Sequence, residues 1–358
     1  MENNSISRIR IKDIARLAGV SAGTVDRVLH NRGEVSGTTR QKILAIIQKM
    51  DYQPDILAST LAARKPLKIA SLIPGVSEDS SFWKYPLAGI EQGLREIMHF
   101  GVSLEKYYFD YSDRYSFIWQ SAEMIKNNPG GIILAPVFTE ESAQLLDDCH
   151  KQGIPVVLIN ANICTGSCIT FIGQDSLQSG MVAARLMHYG LRDDNDLLIV
   201  NFIRKNSNQE HILKREEGFR KYYNSYSKSG DSRLYQIKID TTCSSRLEKT
   251  LEKAIFSSSR NVKGIFVTNS RVFMVARFLE QNGLSDIILI GYDLVEENKD
   301  FLRKGVIDFL ISQKPREQGY KSIMTLYHHL VLKKQVERSQ YLPIDIITKE
   351  NIEHYTFT

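Results

Sequence analysis

Apolar positions along the first fifty residues recur at helical spacing, whereas from residue 67 onward they gather into short continuous runs. Ile11, Ile14, Ala15 and Ala18 fall three and four apart, the stripe of one amphipathic helix. Gly19 supplies the backbone freedom of a sharp turn, and Ser21 is a natural N-cap for a second helix. Val25, Val28 and Leu29 make that helix's inner stripe, which leaves Ala22, Gly23, Asp26, Arg27 and His30 outside. Val35 and Ser36 open a third helix, with Ser36 as N-cap and Ile43, Ile46, Ile47 and Met50 as its buried stripe. It ends at Asp51–Pro54, because proline disfavours helical geometry in the residue before it. A helix-competent segment, DILASTLAARKP at 55–66, then closes on a basic pair and a proline.

Beyond Leu67 the pattern predicts alternating strands and helices. LKIASLIP (67–74) is a buried-strand run, followed by a helical stretch around Leu87–Met98. Further strands are predicted at Val102–Phe109, Gly131–Ala135, Pro155–Ile159, Thr170–Gly173 and Leu197–Asn201. Four more follow at Leu234–Ile239, Gly264–Thr268, Ile287–Gly291 and Phe309–Ser312. That order implies an α/β architecture with parallel sheets, and too many strands for one domain, hence two similar lobes. No internal repeat is visible, and the serine-rich stretches 225–232 and 257–259 read as loops.

Charge changes the picture. The chain of 358 residues nets +5, and residues 1–66 alone hold 11 Lys+Arg against 6 Asp+Glu, so the remainder is neutral. All the excess positive charge sits on the helical unit, as expected if that unit meets phosphates and the rest does not. A helix hairpin within an ordinary core, with a solvated basic face, is the plainer alternative for the first helices. An outer face with small residues at its start and an arginine one turn later instead suits close approach to base edges in a DNA major groove. The opening residues MENNSISRIRIKD lack an apolar signal region and no apolar run is long enough to span a bilayer, so a soluble, cytoplasmic protein without membrane contact is expected.

The four cysteines, Cys149, Cys164, Cys168 and Cys243, make no disulfide framework, and the Cys164/Cys168 pair lacks partners for zinc. The acidic cluster Asp193, Asp194 and Asp196 lacks the glycine and glutamate of a calcium loop and reads as a solvated turn, while His328 and His329 lie in a helical stretch without partners. No nucleophile elbow, phosphate-binding loop, zinc-protease motif or dinucleotide fingerprint is present. No catalytic residue, metal or cofactor is expected.

Three short helices, a helix-competent linker and a change of composition at residue 67 resemble the lac-repressor family of transcription regulators. The run Ile11–Leu61 fits the family pattern without a gap, and the likeness extends more loosely over the rest of the chain. The resemblance implies an N-terminal all-α helix-turn-helix domain (1–54), a hinge helix and linker (55–66), and an α/β periplasmic-binding-protein type I sensor of two Rossmann-like lobes (67–358). Lobe one would hold about 67–173 and 314–342, lobe two about 174–313 and 343–358. It places Ala22, Gly23 and Arg27 toward bases, with Arg27 forking onto a guanine. Ser21, Thr24 and His30 would face phosphates, with Lys12 and Arg32 nearby, and Leu61 would wedge into the minor groove. Asp26 and Asp55 depart from the serine and asparagine common there, which leaves the operator sequence open.

In the sensor, the resemblance assigns an effector site to residues just past strand ends, where such folds bind ligands. Phe82 and Trp83 match an aromatic pair that stacks on a sugar face. Asn160 follows the VVLI strand, where the family usually carries aspartate. Arg215, in KREEGF, matches an arginine that forks onto adjacent hydroxyls. Asn269, Asp293 and Gln313 end later strands, and Tyr292 offers a second stacking ring. The implied function is a homodimeric DNA-binding repressor of carbohydrate genes, switched by a small sugar or sugar derivative, on double-stranded operator DNA, with pairing of dimers into tetramers left open. A sugar-transport receptor would need a signal peptide and no basic unit, and an α/β enzyme fused to a DNA-binding module would need an acid/base set in the cleft.

Overall fold

The computed structural model describes residues 11–29, 33, 35–50, 66–163, 166–191, 195–204, 208–226, 233–240, 247–257 and 261–355. The chain divides into two compact units, 1–63 and 64–358. In the first, α1 (Ile11–Ala18), α2 (Ala22–Leu29) and α3 (Gly37–Lys49) enclose Ile14, Ala15, Ala18, Val25, Val28 and Ile43. Gly19 turns the chain at φ +70°, a conformation in which a Cβ would be strained. The Thr24 amide donates to Ser21 Oγ at 3.1 Å, and the Thr39 amide donates to Ser36 Oγ at 3.4 Å. Each cap contributes about 1 kcal/mol, which matters for so small a core. Of the predicted third stripe only Ile43 is fully enclosed; Ile46, Ile47 and Met50 are half-buried at its edge.

The second unit holds two six-stranded sheets. Sheet one contains β1 (Leu67–Pro74), β2 (Val102–Phe109), β3 (Gly131–Leu134), β4 (Val156–Ile159), β5 (Thr170–Gly173) and β11 (Ser339–Tyr341), in the order β11-β5-β4-β3-β1-β2, all parallel. Sheet two contains β6 (Asp196–Ile203), β7 (Leu234–Asp240), β8 (Val262–Val267), β9 (Ile288–Tyr292), β10 (Phe309–Ser312) and β12 (Asp345–Ile347). Its order is β12-β10-β9-β8-β6-β7, and only β12 runs antiparallel. Helices cover both faces, which explains why β3 and β4 are buried at every position. In each sheet the strand order reverses at the first strand, β1 or β6, and such a reversal opens a crevice at the carboxyl ends.

The ten predicted strands form within a few residues of their expected ends, and β11 and β12 are additional. Chain crossings follow β5, β10 and β11. Gln174 Nε2 donates to the Ser312 carbonyl at 2.9 Å, tying the first two crossings together, and Lys314 pairs with Asp345 at 3.1 Å, tying the second to the third.

Helix α4 (Lys84–Ile97) packs on α12 (Pro315–Leu330) in sheet one, and α7 (Ser176–Gly190) packs on α8 (Glu210–Tyr226) in sheet two. The second contact is glycine-dependent. A Cβ on Gly180 would lie 2.0 Å from the Arg215 carbonyl, and one on Gly218 would lie 2.0 Å from that of Leu177. Backbone against backbone leaves no room to yield, so these glycines set how deep α8 sits. Asp196 departs from the solvated turn expected of it: it is buried and its Oδ2 accepts from the Asn261 amide at 2.8 Å. Cys149 is a buried free thiol and Cys168 is disulfide-bonded. Among the described residues, no helix is long and apolar enough to cross a membrane.

Candidate functional site

A cavity opens between the two sheets, at the carboxyl ends of their strands. Phe82, Trp83, Asn160, Arg215, Asn269, Asp293 and Gln313 all line it. Asn160, Asn269, Asp293 and Gln313 stand just past strands, Phe82 and Trp83 close the short 3-10 helix Glu78–Trp83 that follows β1, and Arg215 lies on the α8 face that the Gly180 contact presses inward.

Arg215 is 1% exposed, although a bare guanidinium in such a place would be costly. Its Nη1 donates to the Thr268 carbonyl at 2.7 Å, and Nη2 donates to Gln313 Oε1. The guanidinium lies over the Tyr292 ring, 3.8 Å from its centroid. Gln313 passes the polarity on: its Nε2 donates to Asp293 Oδ2 at 2.6 Å and its amide to Oδ1 at 3.1 Å. Arg215, Gln313 and Asp293 thus form one chain along the cavity floor. Thr268 is held in turn, since its Oγ1 donates to Asn201 Oδ1 at 2.8 Å and Asn201 Nδ2 donates to Glu216 Oε2 at 2.6 Å.

Burial pushes the Asp293 carboxyl up to about 6, against the pull of Arg215 and of the two Gln313 donors. Rising from 3.8 means about 3 kcal/mol in favour of the neutral acid, so desolvation outweighs its neighbours. Burial drives His211 the other way, down to about 3 with Arg215 assisting, and the imidazole is neutral at pH 7. Among the described residues, neither His211 Nδ1 nor Arg215 Nε has a hydrogen-bond partner.

Phe82 and Trp83 meet edge to face, 5.2 Å between centroids. Trp83 is buried in the sheet-one core and Phe82 is half-buried. Two sets of contacts span the cavity mouth. Tyr85 donates its hydroxyl to the Leu294 carbonyl at 2.9 Å, and Asn208 donates Nδ2 to the Pro136 carbonyl at 3.1 Å and its amide to that of Val137 at 2.5 Å.

Tyr292 is the exception among the expected effector residues. It is wholly buried beneath Arg215, its hydroxyl lies 3.0 Å from Ser179 Oγ, and it does not line the cavity. Strand alternation at the end of β9 turns its side chain toward α7, while Asp293, at φ +65°, turns back toward the cavity. Tyr292 supports the arginine rather than presenting a face to a ligand. Tyr111, Arg204, Asn208, His211, Ser270 and Arg271 also line the cavity and escaped the sequence reading. Tyr111, Arg204 and Arg271 follow β2, β6 and β8, so the strand-end rule reaches them too; His211 stands one turn before Arg215 on the same face.

In the helical unit, Lys12, Ser21, Ala22, Gly23 and Arg27 are exposed and Thr24 is half-buried. Ser21 Oγ lies 2.9 Å from Thr24 Oγ1, so both hydroxyls stand at the start of α2. His30, Arg32, Leu61 and most of the 55–66 segment lie outside the described residues.

Residues 10–55 match the model of bacterial regulatory proteins of the lacI family, and residues 69–334 match the periplasmic binding protein domain. A crystal structure of a putative LacI transcriptional regulator from Bacteroides fragilis superimposes with a TM-score of 0.76 at 31% identity, covering 81% of this chain and all of that one. The chain belongs to the lacI family. Its N-terminal helix-turn-helix unit is followed by the two-lobed α/β domain of the type I periplasmic binding fold. This lacI-family chain is 30% identical to the HTH-type transcriptional regulator MalR of Clostridium butyricum, over 53% of this chain and 57% of that protein. It is 34% identical to the HTH-type transcriptional regulator RegA of Clostridium acetobutylicum, over 42% of each. The chain therefore spans about half the length of the curated relatives it matches. A solute-binding protein from Bacillus halodurans, solved with myo-inositol, shares the sensor fold with a TM-score of 0.69 at 19% identity, covering 81% of this chain and 97% of that one.

Proposed function

We propose that this lacI-family protein is a transcription repressor of carbohydrate uptake or catabolism genes, which binds operator DNA through α1 and α2 and is switched by a small sugar bound between the lobes. The observation that carries the reading is one cavity combining an aromatic pair with the buried Arg215–Gln313–Asp293 chain, in a polypeptide whose other unit matches the lacI model. A polyol needs several directional donors and acceptors together with an apolar ring face, and Phe82, Asn160, Arg215, Asn269, Asp293 and Gln313 supply both.

Arg27, exposed one turn into α2, would fork onto a guanine, and Ala22 and Gly23 would let the backbone approach base edges. Ser21, Thr24, Lys12, His30 and Arg32 would meet phosphates, and Leu61 would kink the duplex at the minor groove. One recognition helix covers few base pairs, so the working form would be a homodimer on paired half-sites, in the cytoplasm where the operator is. Sugar would add contacts available only when the lobes are closed, in the arrangement that the Tyr85–Leu294 and Asn208–Pro136 bonds span, and so shift the lobe equilibrium. Lobe closure would reach the reading helices through the 55–66 segment. A thermal-shift screen against monosaccharides, disaccharides, polyols, sugar acids and sugar phosphates tests the sugar site: a ligand at a hundredfold excess over its Kd adds about 2.7 kcal/mol to the native state. A flat response across the set would overturn the sugar reading.

A further inference from the structure

Two residues of the cavity wall, Asn160 and His211, also line a second pocket of about 380 Å³, beside the crossings that follow β5 and β11. One wall of this pocket is Tyr341 on β11. Its ring meets the buried Phe171 edge to face, 6.2 Å between centroids, yet the residue stays 57% exposed. A ring braced from one side and open on the other suits the apolar side of a sugar, as Phe82 does in the main cavity. Polar groups here are less well served. Gln174 is 4% exposed and donates Nε2 to the Ser312 carbonyl at 2.9 Å, but among the described residues its Oε1 accepts from nothing. His211 Nδ1, at the junction of the two pockets, is in the same position, and a neutral imidazole can exchange a hydrogen bond with a hydroxyl. Charge, by contrast, is balanced. Lys214, the one Lys or Arg among the described lining residues, pairs with Glu210 at 2.8 Å, and Asp175 accepts from the Gln178 amide at 3.0 Å. The pocket calls for hydroxyls and an apolar face, not for an ion.

We propose that the effector is a disaccharide, with one ring against Phe82 and the Arg215–Gln313–Asp293 chain and a second, neutral ring on Tyr341, the glycosidic link passing between Asn160 and His211. The proposal rests on the reading of the main cavity as a sugar site and names the class of sugar. A single ring in the main cavity leaves the Tyr341 face and the second pocket to water. A second ring removes that apolar face from water and brings hydroxyl donors to the Gln174 and His211 side of the pocket. The two units are then recognised alike, each by one aromatic face and a few directional polar groups.

The test is a tryptophan-fluorescence titration of the full-length protein, with Trp83 in the main cavity wall as reporter. Probes are glucose with maltose, cellobiose and trehalose, and galactose with lactose and melibiose, alongside the methyl glycoside of each single sugar. At least one disaccharide should bind about tenfold or more tighter than its component sugars and their methyl glycosides. Tyr341 is exposed enough to be replaced without opening the core. Tyr341→Ala should bring that ratio toward one and leave the affinity for single sugars as it was, while Tyr341→Phe keeps most of the ratio. Single sugars binding as tightly as every disaccharide would overturn the second ring and leave the sugar site standing. No response from any probe would overturn both, and a disaccharide preference surviving Tyr341→Ala would overturn the assignment to this pocket.

Discussion

Replacing Gln313 by leucine should uncouple the cavity floor. Gln313 is 5% exposed, and its amide accepts from Arg215 and donates to Asp293, so leucine of similar size removes two buried hydrogen bonds to charged groups without opening a large cavity. The backbone bond from residue 313 to Asp293 Oδ1 remains. Each lost charge-assisted bond costs about 1.5–3 kcal/mol, or about 3–6 kcal/mol for two. Arg215 and Asp293 can then relax toward each other, which offsets part of the loss, and a net destabilisation near 3 kcal/mol remains. For a unit of this size that lowers the melting temperature by roughly 6 °C at about 2 °C per kcal/mol. Differential scanning calorimetry measures it directly. A companion variant, Gln313→Glu, separates chemistry from packing: its carboxylate accepts from Arg215 but cannot donate to Asp293 until one of the two acids is protonated, so its deficit should shrink below about pH 6. A leucine variant melting within about 1 °C of the parent, or a glutamate variant indifferent to pH, would show that the chain does not organise the floor.

Two further outcomes follow from the same geometry. Arg27→Ala should weaken operator binding by about 1–3 kcal/mol and relax base preference at one position, measured by binding selection on randomised duplexes; an unchanged preference would remove Arg27 from base readout. Asp293 binds its proton more tightly folded than unfolded, so its contribution to stability is greatest below about pH 4 and is lost as pH rises to about 6, while His211, pushed down, contributes above pH 6.5 and loses it on acidification. An NMR titration of the Asp293 carboxyl should therefore give a midpoint near 6, and a midpoint below 4.5 would contradict the dominance of burial.

Much of this architecture was legible from apolar runs alone, because strands buried on both faces admit little but aliphatic residues, as in GIIL and VVLI. The crossing strands β11 and β12 were not, since SQY and DII are three residues each and carry no periodicity. Asn160, Asn269, Asp293 and Gln313 could be picked out because a polar residue ending an apolar strand marks the crevice. Tyr292 shows where that rule fails: adjacent residues at a strand end face opposite sides, and sequence does not say which side is the cavity. Asn208 was invisible for another reason, as its partners Pro136 and Val137 sit about seventy residues away and meet it only across the lobes.

The central claim is that filling the lobe cavity changes the grip on DNA. Fluorescence anisotropy of a labelled operator duplex, at fixed ionic strength with and without a saturating carbohydrate that quenches Trp83, measures it most directly. The account predicts that the operator Kd shifts by about fivefold or more while random duplex is unaffected, and that Arg215→Ala abolishes the shift. An operator Kd that stays the same with the cavity demonstrably occupied would contradict it.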